Sequence, residues 1–363
     1  MPVNFDQSRW NRVRETYETW WKGELDRPVI PVVTTPSGRN PSRYGFGAHG
    51  RRTFSDLSVS AGEIIDSIDT EFSDAIFLGD SFPMVNMSCS GAGIIAAMMG
   101  AELKYAPDEN TTWFRWDKDI PPGDLHFEYD PENVWLQRIK DICSAGIERW
   151  RGQALIGMPD LGGAVDILSS FRPGDKMLLD LYDEPEEIKR LIREIHDIWH
   201  SVYREIDSVL KPLNPGYTAW AGIYSERTYY MLQCDFAYMI GPEMFDEFVK
   251  PELQESCEIL ENPFFHLDGI GQLPHLDSLL QMEKLKGIQW IPGAGQPGMK
   301  DWPEVYRKIK GAGKLIQLGG NLPTLEAVSE QIGTSGGIQL MTITGGDPEE
   351  LSRLLKSHGV PPE

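Results

Sequence analysis

The sequence predicts an α/β protein with the (β/α)8 arrangement of a TIM barrel. Eight short apolar segments, most of them bounded by Gly, Pro or Asp, alternate with longer segments whose apolar residues recur at helical spacing. Such alternation is typical of this barrel. A doubly wound open sheet fits less well, because no Gly-x-Gly-x-x-Gly follows a strand near the N-terminus. We expect one domain over residues 1–363, with an N-terminal helix.

The individual elements are predicted in chain order from spacing and composition. The N-terminal segment predicts a helix over about 6–22, because its aromatic residues recur at helical spacing from Trp10 to Trp21. Strands are predicted at 28–33, 75–80, 154–158, 217–220, 264–267, 287–291, 314–318 and 337–342. The clearest later helices are predicted at 131–151, 184–210, 242–260, 301–311, 323–332 and 347–357. The last begins with Asp347, Pro348 and two acids, the order expected of an N-cap and first turn.

Two long segments, 36–60 and 104–130, are irregular and rich in Pro, Gly, Trp and Asp. Loops of this length inside a compact domain usually serve as lids or binding loops. Both follow early predicted strands, so we expect them to lie over the mouth of the barrel.

The composition argues against several classes of partner. A formal net charge of −21 disfavours nucleic acid, which binds through Lys and Arg, and disfavours anionic membrane surfaces. No apolar stretch approaches the ~20 residues of a membrane span, and the N-terminus lacks the apolar core of a signal peptide. The four cysteines are widely spaced, which favours free thiols. We therefore expect a cytoplasmic protein that acts on a small molecule.

The strongest candidate site lies in the segment 263–269, an apolar run that ends in His-x-Asp-Gly. Side chains alternate along a strand, so His266 and Asp268 share one face at its carboxyl end, where barrel enzymes place their chemistry. The pair fits two ligands of zinc or another divalent metal. The alternative is a hydrogen-bonded pair that only satisfies itself. A metal would need a third ligand, for which Cys234, Asp235 and Gln317 are the candidates.

Gln317 is also a candidate for substrate contacts, together with several other residues. Asp80 ends the second predicted strand, although a turn cap is the commoner role for such an aspartate. Trp220 and Tyr224 lie around a predicted strand end and could line an apolar pocket, although most such aromatic residues serve packing. His275 follows a Gly-Gln-Leu-Pro turn and more commonly would begin a helix. Asp235 precedes a helical segment and is the better candidate of the Cys234-Asp235 pair, because a lone Cys is usually a small buried hydrophobe.

An ordered series of motifs runs along most of the chain. The motifs are Tyr182-Asp183-Glu184-Pro185-Glu186-Glu187-Ile188, Gln233-Cys234-Asp235-Phe236, Ile240-Gly241-Pro242-Glu243-Met244-Phe245, Phe265-His266-Leu267-Asp268-Gly269 and Gly320-Asn321-Leu322. From about residue 65 to the C-terminus, the series resembles the uroporphyrinogen decarboxylase superfamily, which also contains the methylcobamide:coenzyme M methyltransferases. The ordered series is specific, whereas each motif alone would be weak. The resemblance implies the same (β/α)8 barrel.

The sequence departs from both branches of that group. The decarboxylases carry an arginine-rich N-terminal motif, which is missing where the first predicted strand ends, and their His-Gly after the last strand is replaced by Thr344-Gly345. The methyltransferases hold zinc with His-x-Cys and a Cys after the last strand. Here the first pair is His266-x-Asp268, and the last strand ends without a Cys. The chain is similar to a divergent member with neither full set.

The resemblance favours a corrinoid-linked methyltransferase that moves a methyl group between a small methylated compound, a cobamide and an acceptor. His266 and Asp268 would then be catalytic, with Asp235 assisting, and a corrinoid protein would be the partner that supplies the cobamide. One alternative is a decarboxylase of a porphyrinogen or other polycarboxylate. Another is a barrel that binds a ligand or a corrinoid without catalysis, because a fold alone does not imply chemistry.

Overall fold

Short strands separated by helices make up the framework of this computed structural model, which describes residues 3–40, 50–109 and 111–363. The strands are β1 (Pro31–Thr34), β2 (Ile76–Gly79), β3 (Met84–Val85), β4 (Glu102–Ala106), β5 (Thr111–Arg115), β6 (Leu155–Ile156), β7 (Tyr229–Gln233), β8 (Asn262–Asp268), β9 (Gly287–Ile291), β10 (Leu315–Leu318), β11 (Ile338–Leu340) and β12 (Ile343–Thr344).

The helices occupy most of the remaining chain. They are α1 (Gln7–Trp21), α2 (Gly50–Ser55), α3 (Ala61–Phe72), α4 (Ile95–Met98), α5 (Val134–Trp150), α6 (Ala164–Phe171), α7 (Asp175–Asp183), α8 (Pro185–Leu210), α9 (Pro242–Met244), α10 (Lys250–Ile259), α11 (Leu276–Leu280), α12 (Pro303–Gly311), α13 (Leu322–Ile332) and α14 (Pro348–Ser357). A π-helical turn, Phe245–Val249, joins α9 to α10. Short 3-10 turns lie at Met87–Ser90, Pro122–Asp124, Asp235–Met239, Ile270–His275 and Met299–Asp301.

The strands confirm the α/β class through a parallel sheet in the C-terminal half. Its five strands follow the order β11-β10-β9-β8-β7, and every neighbouring pair in it is parallel. Val29, just before β1, continues the sheet, because its N–H donates to the Ile338 carbonyl and its carbonyl accepts from the Leu340 N–H. Elsewhere β3 pairs with β6 in parallel. The strand pairs of the described residues do not trace a complete eight-stranded barrel.

One predicted strand was wrong. The segment 217–220 forms no strand; Tyr217 makes only an isolated antiparallel bridge to Ser225. The chain turns at Gly222, whose N–H donates to the Ala219 carbonyl and whose φ of +70° favours glycine. The strand of this region is β7, nine residues further along than the end of the predicted one. All five of its residues are buried, so it shows no alternation that would have revealed it.

The helix predictions were confirmed at every position where they were made. The predicted N-terminal helix is α1, and its N-cap Asp6 accepts a hydrogen bond of 2.9 Å from the Arg9 N–H. The segment 104–130 was expected to be irregular, but it contains most of an antiparallel hairpin formed by β4 and β5. This hairpin packs against α6, and α2 packs against the turn after β3. Part of the other long segment, residues 41–49, lies outside the described residues.

Aromatic packing ties α1 to the large parallel sheet. Trp20 is fully buried and stacks on Phe264 of β8, with 6.1 Å between ring centroids. All four cysteines are buried free thiols. Among the helices of the described residues, none is both long enough and apolar enough to cross a membrane.

Candidate functional site

Five polar side chains stand in one register across the parallel sheet. The strand pairing aligns Gln233 with His266, His266 with Gln289, Gln289 with Gln317, and Gln317 with Gln339. Residues paired in register on parallel strands point to the same face of a sheet. The four glutamines are buried, and the His266 side chain is 15% exposed. We call these five residues the polar row.

Two carboxylates meet His266 at the carboxyl ends of β7 and β8. Asp268 is the last residue of β8, two positions after His266 and therefore on the same face. Asp235 begins the 3-10 turn that follows β7. One ligand atom from each of the three residues can be chosen so that all lie within 4.8 Å of one another. The His266 Nε2 and the Asp268 Oδ2 are 3.8 Å apart.

The imidazole of His266 is held on two sides. Its Nδ1 donates a hydrogen bond to the Gln289 Oε1, since a carboxamide oxygen can only accept. The Trp220 ring meets it edge-on, with 4.9 Å between centroids and 88° between planes. The Trp220 Nε1 is buried without a hydrogen-bond partner in the described part of the chain, so it is a spare donor beside the site. These contacts leave the Nε2 facing the carboxylates.

Several carboxyl groups lie near Asp235 or near its neighbour Asp166. Desolvation raises the pKa of Asp235 even though the residue keeps contact with solvent, His266 lowers this pKa, and Asp268 raises it. Behind it, Asp166 accepts hydrogen bonds from the backbone N–H of Asp235 at 3.0 Å and of Phe236 at 2.8 Å. Burial, followed by the charge of Asp235, raises the pKa of Asp166 to about 7. Burial also raises the pKa of Asp160 to about 7 and that of Glu252 to about 8.

The structure brings two of the predicted substrate-contact residues to His266. Trp220 touches the imidazole, and Gln317 is joined to it through Gln289, since the Gln289 Nε2 donates to the Gln317 Oε1 at 2.5 Å. Of the candidates for a third ligand, Asp235 joins the His266–Asp268 pair in a cluster of the described residues, whereas the Gln317 side chain is hydrogen-bonded to Gln289, Gln339 and the Ala221 carbonyl. Cys234 is buried, and desolvation raises the pKa of its thiol well above the usual range.

The other three predicted contacts have partners elsewhere. Asp80 accepts two hydrogen bonds from Arg27, at 2.7 and 2.8 Å. The Tyr224 ring packs against Trp10, Tyr17 and Phe82, and its hydroxyl donates to the Pro215 carbonyl at 2.8 Å.

His275 is fully buried. It stacks on Phe245 at 4.4 Å, and its Nε2 lies 2.8 Å from the Ala237 carbonyl oxygen. The structure therefore does not bring Asp80, Tyr224 or His275 to the His266 imidazole.

Sequence reasoning missed most of the polar row. A signal for it exists in the repeated dipeptide Ile-Gln, which occurs at Ile288-Gln289, Ile316-Gln317 and Ile338-Gln339, each time within a predicted strand. A glutamine at the centre of an otherwise apolar strand is costly to bury unless it is hydrogen-bonded. Three such strands in succession indicate a shared hydrogen-bonded layer. No comparable signal marks Asp166, which lies in the first turn of α6.

The cluster of Asp235, His266 and Asp268 suits a divalent first-row metal ion. One imidazole nitrogen and two carboxylates are ligands that zinc and its neighbours accept. In a tetrahedral site with bonds of about 2.1 Å, ligand atoms lie about 3.4 Å apart. The observed separations, all within 4.8 Å, therefore need only small side-chain rotations. The hydrogen bond from Nδ1 to an oxygen is also typical of a metal-binding histidine.

Comparison with known proteins gives a likeness in fold. A solved structure of a methyltransferase from Methanosarcina mazei superposes with a TM-score of 0.54, covering 95% of this chain and 97% of that chain. The two sequences are 11% identical, so the likeness speaks for the fold alone. No family model and no curated protein sequence matches the chain. Membership of the uroporphyrinogen decarboxylase superfamily stays a prediction from the motifs.

Proposed function

We propose that this chain is a methyltransferase in which Asp235, His266 and Asp268 hold a divalent metal ion, zinc being the first candidate. The observation that carries the proposal is the convergence of their three ligand atoms within 4.8 Å at the ends of β7 and β8. Active sites of barrel enzymes lie at the carboxyl ends of the strands. The likeness in fold to a methyltransferase, over almost the whole of both chains, supports the reaction class.

Some residues of the proposed site would bind the metal ion, and Asp235 could also transfer a proton. When bound, a divalent metal supplies a Lewis acid that activates a methyl acceptor or a leaving group. His266 offers its Nε2, and Asp268 offers a carboxylate from the same strand face. Desolvation raises the pKa of Asp235, so its carboxyl holds a proton more readily than a solvated aspartate does and is suited to proton transfer. Trp220 limits the rotation of the imidazole and adds an apolar wall.

A cobamide brought by a corrinoid protein is the proposed methyl carrier. Exposed apolar side chains flank the carboxylates: Tyr238 is 51% exposed, Met239 is 55% exposed and Ile270 is 38% exposed. They lie in the turns that directly follow β7 and β8. Apolar side chains exposed next to a polar site are typical of a surface that another molecule covers. The methylated substrate would be a small compound held below that surface.

Metal analysis tests the proposal together with turnover. Wild-type protein, loaded with zinc and dialysed, is expected to retain one ion per chain, and His266→Ala is expected to lose it. His358→Ala is the matched control, because that side chain is 14% exposed and also faces a carboxylate, with its Nε2 3.2 Å from the Glu326 Oε1. It should keep both metal and activity. Turnover is followed by the absorbance change of free methylcobalamin with a thiol acceptor.

Substitution of Asp268 sharpens the test. Asp268→Asn removes an anionic ligand and is expected to weaken metal affinity by at least the roughly 10- to 100-fold that loss of a ligand's hydrogen-bonding partner costs. Asp268→Cys replaces the carboxylate by a thiolate, which zinc accepts, and is expected to keep zinc. If His266→Ala binds zinc and turns over like wild type, with only a lower melting temperature, the pair is structural and the proposal fails.

A further inference from the structure

We propose that Gln289, Gln317 and Gln339 form an oriented chain of carboxamides that fixes the proton of His266 on Nδ1 and so turns the Nε2 lone pair toward the carboxylates. Of these three glutamines, Gln289 alone hydrogen-bonds to the imidazole in the described structure, so Gln317 and Gln339 are positioning residues. The inference rests on the proposed function in one respect only: the use that the site makes of Nε2.

The chain is continuous and runs in one direction. From His266, the Gln289 Oε1 accepts from the imidazole Nδ1, and the Gln289 Nε2 donates to the Gln317 Oε1. The Gln317 Nε2 donates to the Gln339 Oε1 at 2.9 Å. Each carboxamide thus accepts on the side nearer His266 and donates on the far side. The relative exposure of all three glutamines is 0%, so water does not compete for these hydrogen bonds.

Two backbone carbonyls fix the direction of the chain at its far end. The Gln317 Nε2 also donates to the Ala221 carbonyl at 2.8 Å, and the Gln339 Nε2 donates to the Gly222 carbonyl at 3.2 Å. A carbonyl can only accept, so a flipped Gln317 or Gln339 would place oxygen against oxygen in a buried site. The turn at Gly222 that presents these carbonyls is itself closed by the backbone hydrogen bond to Ala219.

The orientation of Gln317 determines that of Gln289, which in turn contacts the imidazole. If this carboxamide flipped, its NH2 group would face Nδ1 and would require a lone pair there. The proton would then lie on Nε2 and would point at Asp235 and Asp268. In that tautomer Nε2 has no lone pair for a metal ion or a proton. The direction set at Ala221 and Gly222 therefore decides which nitrogen serves the site.

The tautomer can be measured directly in the full-length, metal-free protein. Uniform 15N labelling of histidine, at a pH where imidazole is neutral, distinguishes protonated from unprotonated ring nitrogens. The His266 signals are assigned as those absent from His266→Ala. We expect wild type to show a protonated Nδ1 and an unprotonated Nε2. A dominant Nε2–H tautomer in wild type would overturn the proposal without any variant being needed.

Variants separate positioning from packing. Gln317→Met keeps the volume of the side chain but removes the anchor, so Gln289 is free to flip and the Nε2–H tautomer is expected to appear at a measurable fraction. Gln289→Met should give a larger shift, and Gln289→Glu should restore the Nδ1–H form, because a neutral carboxyl accepts and donates like the amide. Gln272→Met, at a buried glutamine outside the row that is 1% exposed, should leave the tautomer unchanged.

The outcomes are distinct from those of the proposed function. An unchanged tautomer in folded Gln317→Met overturns the inference, whatever the protein catalyses. A tautomer that shifts as expected supports it, even if metal analysis and methyl-transfer assays show that the proposed function is wrong. Should Gln317→Met fail to fold, Gln339→Met tests the same anchor through the Gly222 carbonyl.

Discussion

Replacement of Asp80 by Asn tests whether this aspartate stabilises the fold or contacts substrate. Asp80 is 4% exposed and accepts three hydrogen bonds in the described structure. Two come from the Arg27 guanidinium, at 2.7 and 2.8 Å, and one from the Ile30 N–H at 2.9 Å. The side chain thus joins the segment before β1 to the end of β2. Asn has nearly the same shape, so the substitution removes the charge while leaving the packing in place.

The magnitude follows from the burial of the pair. Removing one partner of a buried ion pair costs roughly 3–5 kcal/mol, because the other charge is left uncompensated. The Arg27 side chain is 19% exposed, so water would solvate part of its unpaired charge and reduce this cost. We expect Asp80→Asn to lower the free energy of unfolding by about 2–4 kcal/mol. Glu304→Gln is the control, because its pair with Arg307 is 81% and 50% exposed and should contribute less than about 1 kcal/mol.

Urea denaturation of both variants, read by tryptophan fluorescence, measures the difference. The reasoning is refuted if Asp80→Asn unfolds at the same urea concentration as Glu304→Gln. If Asp80→Asn were as stable as the control but had a raised KM, Asp80 would be a substrate contact and not a stabilising residue.

Two further predictions concern stability and the geometry of the site. Burial lowers the pKa of His196 and of His200 to about 4, so their contribution to stability is complete above about pH 6.5 and is lost as the pH falls toward 4. Between pH 7 and pH 5, urea titrations should show wild type losing about 2 kcal/mol more than His200→Gln; equal losses would contradict this. Gly269→Ala should cost about 1–3 kcal/mol, because Gly269 has a φ of +83° and an added Cβ would lie 2.9 Å from the Tyr238 ring. Thermal melts check this, and an unchanged melting temperature would show that the backbone adapts.

The part of the site that depends on one strand was accessible from sequence. His266 and Asp268 fall on the same face of β8 because side chains alternate, and this needs no knowledge of other strands. Asp235 does lie beside this pair, but it follows β7 and not the predicted strand 217–220, and its role in the site stays a prediction. Alternation gives no help with β7, which is buried on both faces.

The remaining features depend on contacts between distant parts of the chain. The link from Gln317 to the Ala221 carbonyl joins residues 96 positions apart, and the pairing of Asp80 with Arg27 joins residues 53 positions apart. Such contacts follow from strand register and loop position, which local composition does not encode. From sequence alone, an aspartate at a strand end therefore looks the same whether it contacts a substrate or an arginine. The structure shows that Asp80 is paired with Arg27.

The buried carboxyls near Asp235 have a consequence for the proton inventory of the whole molecule. Asp160 and Asp166, each with a pKa of about 7, hold about half of their protons at pH 7, and Glu252, with a pKa of about 8, holds most of its own, although the formal charge of −21 counts all three as ionised. Unfolding exposes these groups and releases the protons, so their contribution to stability falls as the pH rises from about 4 to about 7–8. The buried pair of His196 and His200, with pKa values of about 4, acts in the opposite direction. Between about pH 4 and pH 6.5 the two titrations oppose each other, and above pH 6.5 the carboxyls alone make stability fall as the pH rises.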